Sequence, residues 1–66
     1  MMTKIKTKDG YDYYKGGDDL YNIVPEGSEP PEGGYRSPGY ILAINGIAKP
    51  KNRAEALPYF DKDDKN

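Results

Sequence analysis

The chain sets an Asp-Gly pair, Asp9-Gly10, between two short runs, and no other feature narrows its fold so far. Both residues of a two-residue hairpin turn must tolerate positive φ, so Asp-Gly flanked by strand-like runs predicts a β-hairpin. The first run, residues 3–8, reads T-K-I-K-T-K, with lysine at every even position. A two-residue period with one wet face predicts an edge strand, and outward lysines keep such an edge from pairing with other chains. The return arm, residues 11–15, reads Y-D-Y-Y-K. Tyr11 and Tyr13 fall on one face, Asp12 and Tyr14 on the other.

Gly16-Gly17-Asp18-Asp19 predicts a second turn, and residues 20–24, L-Y-N-I-V, a third strand stopped by Pro25. Residues 25–39 hold four prolines and four glycines, a density that no regular element survives. A structureless stretch of about 15 residues in a compact domain is usually either a recognition loop or a disordered connection.

Residues 40–44, Y-I-L-A-I, form the most apolar run. They do not alternate, which predicts a central strand covered on both faces. Asn45-Gly46 then reads as another hairpin turn with residues 47–49 returning, or as a bulge within one strand over residues 40–48. Asn52 suits a helix N-cap, with Glu55 three residues on for a capping box, and Pro58 should stop the helix within a turn or two. Leu57 and Phe60 would anchor that segment on the sheet.

These readings combine into a β-rich α+β domain over residues 1–60. It is expected to be a small antiparallel sheet, or a barrel-like meander, of four or five short strands with a short C-terminal helical segment. The expected core is Ile5, Leu20, Ile23, Val24, Ile41, Leu42, Ile44, Ile47, Leu57 and Phe60. Residues 61–66, D-K-D-D-K-N, read as a solvated charged tail.

A domain of 66 residues has a thin core, and such chains commonly add disulfides, a metal or a second subunit. Cysteine and histidine are both absent, which excludes disulfides and thiolate or imidazole metal sites. An efficient core or a homo-oligomer remains. No apolar stretch reaches the about 18 residues of a membrane span, and the N-terminus lacks the apolar segment of a signal peptide, so a cytoplasmic location is expected.

The net charge of −1 hides stripes. Residues 16–34 carry Asp18, Asp19, Glu26, Glu29 and Glu32 and no base; residues 35–53 carry Arg36, Lys49, Lys51 and Arg53 and no acid. Neither Gly16-Gly17 nor Gly33-Gly34 is followed by the Lys-Ser/Thr of a phosphate-cradling loop. The carboxylates lack the alternating spacing of a calcium loop. No catalytic, cofactor or metal residue is assigned.

Seven tyrosines with no histidine, cysteine or tryptophan describe a chain that binds rather than reacts. Tyrosine offers large contact area at low entropy cost. It also favours strands and packs across them, which is the plainer reading of any one ring. The expected function is a non-enzymatic protein-binding module, with Tyr13, Tyr14, Tyr35 and Arg36 as anchors and Glu29 and Glu32 facing a basic partner surface. By association of size and composition, such a chain could be a phage or mobile-element accessory protein or inhibitor that occupies a host protein. Two alternatives stand beside it: a single-stranded nucleic-acid binder that uses a Tyr/Lys sheet face, and a structural subunit of a larger assembly.

Overall fold

A computed structural model describes residues 1–62. Three strands, β1 (Met2–Lys8), β2 (Tyr11–Gly16) and β3 (Leu20–Pro25), form one antiparallel sheet in the order β1-β2-β3. Two short helices follow, α1 (Pro38–Ile44) and α2 (Arg53–Ala56), and then a 3₁₀ turn over Leu57–Phe60. The fold is thus α+β, with three strands instead of four or five, and the sheet stays open instead of curling into a barrel. Of the expected tail, Asp61 and Lys62 are exposed, and the remainder lies outside the described residues.

Asp9 and Gly10 both take positive φ, 52° and 87°, as a twist-matched hairpin turn requires. In the second turn Asp18 and Asp19 take the left-handed region, at 59° and 57°, while Gly17 does not. Aspartate enters that region more readily than most side chains, so the glycine pair was not the hinge.

The lysine alternation in β1 does not hold one face throughout. Lys4 pairs with Tyr14 and Lys6 with Tyr13, so Ile5 is an extra residue, a β-bulge. The bulge switches which side the later residues face. Lys4 shares a face with Asp12 and Tyr14, while Lys6 lies over the Tyr13 ring, 5.1 Å from its centroid, on the opposite face. Ile5 is half-buried against the core.

Residues 40–44 are helical, which corrects the central strand expected there. Ser37 caps the start: its side chain accepts the Tyr40 N–H, at 3.2 Å. Pro38 supplies a pre-set φ in the first turn. At the other end the Gly46 N–H donates to the Ala43 carbonyl and the Ile47 N–H to the Leu42 carbonyl, both at 3.0 Å. With Gly46 at φ 71°, that pair of bonds is a Schellman stop. Asn45-Gly46 therefore ends a helix; it forms neither a hairpin turn nor a bulge. Pro38, Ile41 and Leu42 face inward, and Tyr40 and Ile44, one turn apart, face out.

Asn52 caps α2 by accepting the Glu55 N–H, at 3.0 Å. The Glu55 carboxylate reaches back to the Lys51 N–H at 2.8 Å, one residue before the cap. The chain then tightens into the 3₁₀ turn that holds Pro58. Phe60 is buried there, with ring centroids 4.9 Å from Tyr21 and 5.6 Å from Tyr13.

The core comprises Tyr13, Tyr21, Ile23, Ile41, Leu42, Ala56 and Phe60, with Ile5, Tyr11, Ile47 and Leu57 packed at its margin. Leu20 and Val24, expected inside, are half-buried outside this cluster, and Ile44 is 54% exposed. The helices cover one face of the sheet. On the other face the Gly27 N–H donates to Asp12 at 3.1 Å and the Asn22 side-chain amide donates to the Gly33 carbonyl at 2.6 Å. The proline-glycine loop therefore crosses that face. It then rounds the free edge of β3, where Tyr35 and Tyr21 exchange backbone hydrogen bonds of 2.7 and 2.8 Å, and enters α1.

Candidate functional site

The seven tyrosines divide by face. Tyr13 and Tyr21 point toward the helices and are buried at 4% and 3% exposure; Tyr11 is half-buried and its hydroxyl donates to the Asn45 carbonyl at 3.4 Å. Burial is the main force that raises the Tyr13 phenol above its ordinary value, helped by the negative charge of Asp9. Tyr14 points the other way. It is the register partner of Asn22 and two residues from Asp12, so it lies between the two attachments of the loop and is 3% exposed. Tyr13 and Tyr14 thus offer no ring to a partner, contrary to their expected display. The chain has one phenylalanine and no tryptophan, so tyrosine supplies the bulk that its interior needs.

Tyr35, Tyr40 and Tyr59 remain 44%, 51% and 41% exposed. Two of them meet. The Tyr35 and Tyr40 ring centroids stand 5.3 Å apart at 48°. Tyr40 and Ile44 are four residues apart on α1, hence neighbours on its outer face. The result is an apolar patch of Tyr35, Tyr40 and Ile44 on a chain of only 66 residues. Its supports are fixed: Tyr35 by its backbone bridge to β3, and α1 by its caps at both ends.

Arg36 adjoins the patch. Its guanidinium donates to the Asp18 carbonyl at 3.4 Å, and its own carbonyl accepts from Arg53 at 2.9 Å. Arg53 also stands 3.7 Å from the Asp19 carboxylate and over the Tyr21 ring. These contacts draw the start of α1 and the start of α2 together around a groove of about 450 Å³, rimmed by Arg36, Lys51 and Arg53 and walled by Pro38, Tyr40 and Pro50.

Of the expected anchors, then, the structure brings Tyr35 and Arg36 to one place. Glu29 and Glu32 are exposed elsewhere, on the part of the loop that crosses the opposite sheet face. Tyr40, Ile44, Lys51 and Arg53 were not foreseen. The signal for the first two was present in Ser37-Pro38 and Asn45-Gly46, which punctuate a seven-residue helix and so place Tyr40 and Ile44 on its outer face.

A second groove of about 380 Å³ lies between the first hairpin and the 3₁₀ turn, lined by Lys6, Lys8, Tyr13, Ile47 and Tyr59 among others. Among the described residues no group of three or more acidic, histidine or cysteine side chains is placed to hold a metal, and no helix is long and apolar enough to cross a membrane. Comparison of the chain with protein-family models, with curated proteins and with solved structures finds no match, so the geometry of the site alone carries the functional reading.

Proposed function

We propose that this chain is a non-enzymatic protein-binding module that docks its partner on the Tyr35–Tyr40–Ile44 patch, with Arg36 at the rim. One observation supports the reading above all others. On a seven-residue helix whose Leu42 is fully buried, Tyr40 and Ile44 are turned outward beside a third apolar side chain. Apolar side chains grouped at a surface mark interaction sites more often than isolated ones do. Tyrosine and arginine are also the residues most often found to dominate binding energy at interfaces. Occupation of a host protein's surface by an accessory protein or inhibitor is one form that such a module takes.

The nucleic-acid alternative called for rings on a sheet face. Lys6 and Lys15 do lie over tyrosine rings there, but those rings are Tyr13 and Tyr21, both buried, so the sheet offers a base no open face to stack on.

The reading is tested by placing a photo-crosslinking aromatic residue at position 40 and, separately, at position 8 in the exposed first hairpin. Irradiation in cells is expected to give one discrete adduct from position 40 and none from position 8. Tyr40→Ser with Ile44→Ser should remove binding to that partner while the melting temperature stays within about 0.5 kcal/mol of equivalent stability, as for other surface changes. Adducts of equal yield from both positions would sink the proposal.

A further inference from the structure

The charge stripes of the sequence persist on the folded surface. Glu26, Glu29 and Glu32 are all exposed on the loop, and none forms an ion pair with another described residue. Glu29 and Glu32 are three residues apart, the repeat of an extended polyproline-type segment, which places such side chains along one edge, whereas Glu26 sits in the turn that the Ser28 N–H closes on the Pro25 carbonyl. Residues 28–31, which include Pro30 and Pro31, form neither helix nor strand. The groove at the start of α1 has the opposite chemistry: Arg36 and Lys51 are exposed on its rim without a carboxylate partner among the described residues, and Arg53 is matched only by the exposed Asp19. Tyr40 and two prolines wall it. Extended proline-bearing segments are recognised in grooves lined by aromatic rings.

We propose that this groove takes the acidic loop of a second copy of the chain, so that the protein self-associates by a loop-to-groove contact. The proposal rests on the binding reading given above and names the partner at the groove end of that surface. Glu29 and Glu32 meet Arg36 and Lys51, and the loop is already held in place by its bonds to Asp12, Asn22 and Tyr21, so little ordering remains to be done on docking. A core as small as this one also gains from a second subunit. The two surfaces are different patches, so the contact is heterologous and propagates unless a ring closes. Exposed ion pairs are individually weak, which places the association at high protein concentration and low salt.

Sedimentation equilibrium of the full chain between about 10 μM and about 1 mM tests this, at low salt and again at about 1 M salt, where screening acts within about 3 Å. The weight-average mass is expected to rise above the 7.4 kDa monomer at low salt and to return to it at high salt. Glu29→Gln with Glu32→Gln, and Arg36→Ala with Lys51→Ala, should each leave a monomer whose circular dichroism matches the parent. An equimolar mixture of the two variants should form a pair that grows no further, because one keeps only the groove and the other only the loop. A parent chain that stays monomeric throughout overturns the proposal, as does association that persists in both variants. Should a variant fail to fold, the concentration and salt series of the parent still decides. A monomeric parent whose Arg36 and Tyr40 amide resonances shift with a hexaglutamate peptide has a foreign protein occupant: self-association falls and the protein-binding reading stands; shifts with an oligothymidylate instead overturn both. If crosslinking from position 40 also finds nothing, both fall together.

Discussion

Among the described residues Asp12 is the one carboxylate sealed inside, at 1% exposure. The Thr7 hydroxyl donates to one of its oxygens, the Gly27 N–H donates to the other, and the Lys4 ammonium stands 3.9 Å away. The Thr7 bond does most to hold the carboxyl below its ordinary value of 3.8, followed by the Gly27 N–H; burial opposes them and Lys4 adds a small attraction. A carboxyl whose pKa is lower folded than unfolded contributes stability in full above the unfolded value and loses it as pH falls through the folded one. The melting temperature should therefore drop below about pH 4, beyond what the exposed acids produce. Asp12→Asn should lower the melting temperature at neutral pH, and the gap to the parent should close in acid. A gap that is constant from neutral pH down to about pH 2 would show that the charge contributes nothing. Sequence placed Asp12 on a face with Tyr14 but could not bury it, because the loop that covers both arrives from outside the hairpin.

At the scale of elements, local chemistry was readable wherever one set of residues permits one structure. Asp9-Gly10 between two runs of strand formers admits little besides a hairpin, and Asn52 three residues before Glu55 admits little besides a helix start. Asn45-Gly46 admits two. The same pair closes a hairpin or stops a helix, because either needs a residue at positive φ, and the choice falls to what precedes it. The five apolar residues before it lack the length to show a period of 3.6 on their own, whereas Ser37 and Pro38 upstream fix the start of a helix. The β-bulge at Ile5 was equally hidden, since an extra residue leaves no mark on an alternating run until its partner strand is laid beside it. Gly46→Ala should cost about 1 kcal/mol, the steric penalty of a Cβ in the left-handed region. Chemical denaturation would measure it. An unchanged midpoint would mean that the helix stop does not depend on this conformation.

For the molecule as a whole, the loop between Pro25 and Pro38 joins what would otherwise be a hairpin sheet and a helical pair. It was foreseen as either a recognition surface or an idle connection, and its bonds show a strap laid over one face and an edge. The candidate site was half legible: Tyr35 and Arg36 stood out because rings and cations in a proline-rich stretch have no core to join. Tyr13 and Tyr14 misled because burial is decided by the layer above a strand and not by the strand itself. The strap has one tight point. A Cβ at Gly34 would lie 2.7 Å from the Tyr21 carbonyl oxygen and 3.0 Å from its nitrogen, both backbone atoms, whereas one at Gly33 meets nothing within 4 Å. Gly34→Ala should destabilise by about 2 kcal/mol and speed amide exchange at Tyr21, with Gly33→Ala close to neutral. Equal behaviour of the two would mean that the close approach does not matter.

The bridge between Tyr21 and Tyr35 also bears on how the sheet can be extended. The returning chain takes up the backbone groups of Tyr21 and so interrupts the far margin, and an incoming strand meets a second interruption at the N-terminal margin. There the surplus residue at position 5 breaks the even row of donors and acceptors that templated stacking needs. A sheet built this way resists the addition of further strands to its own edges.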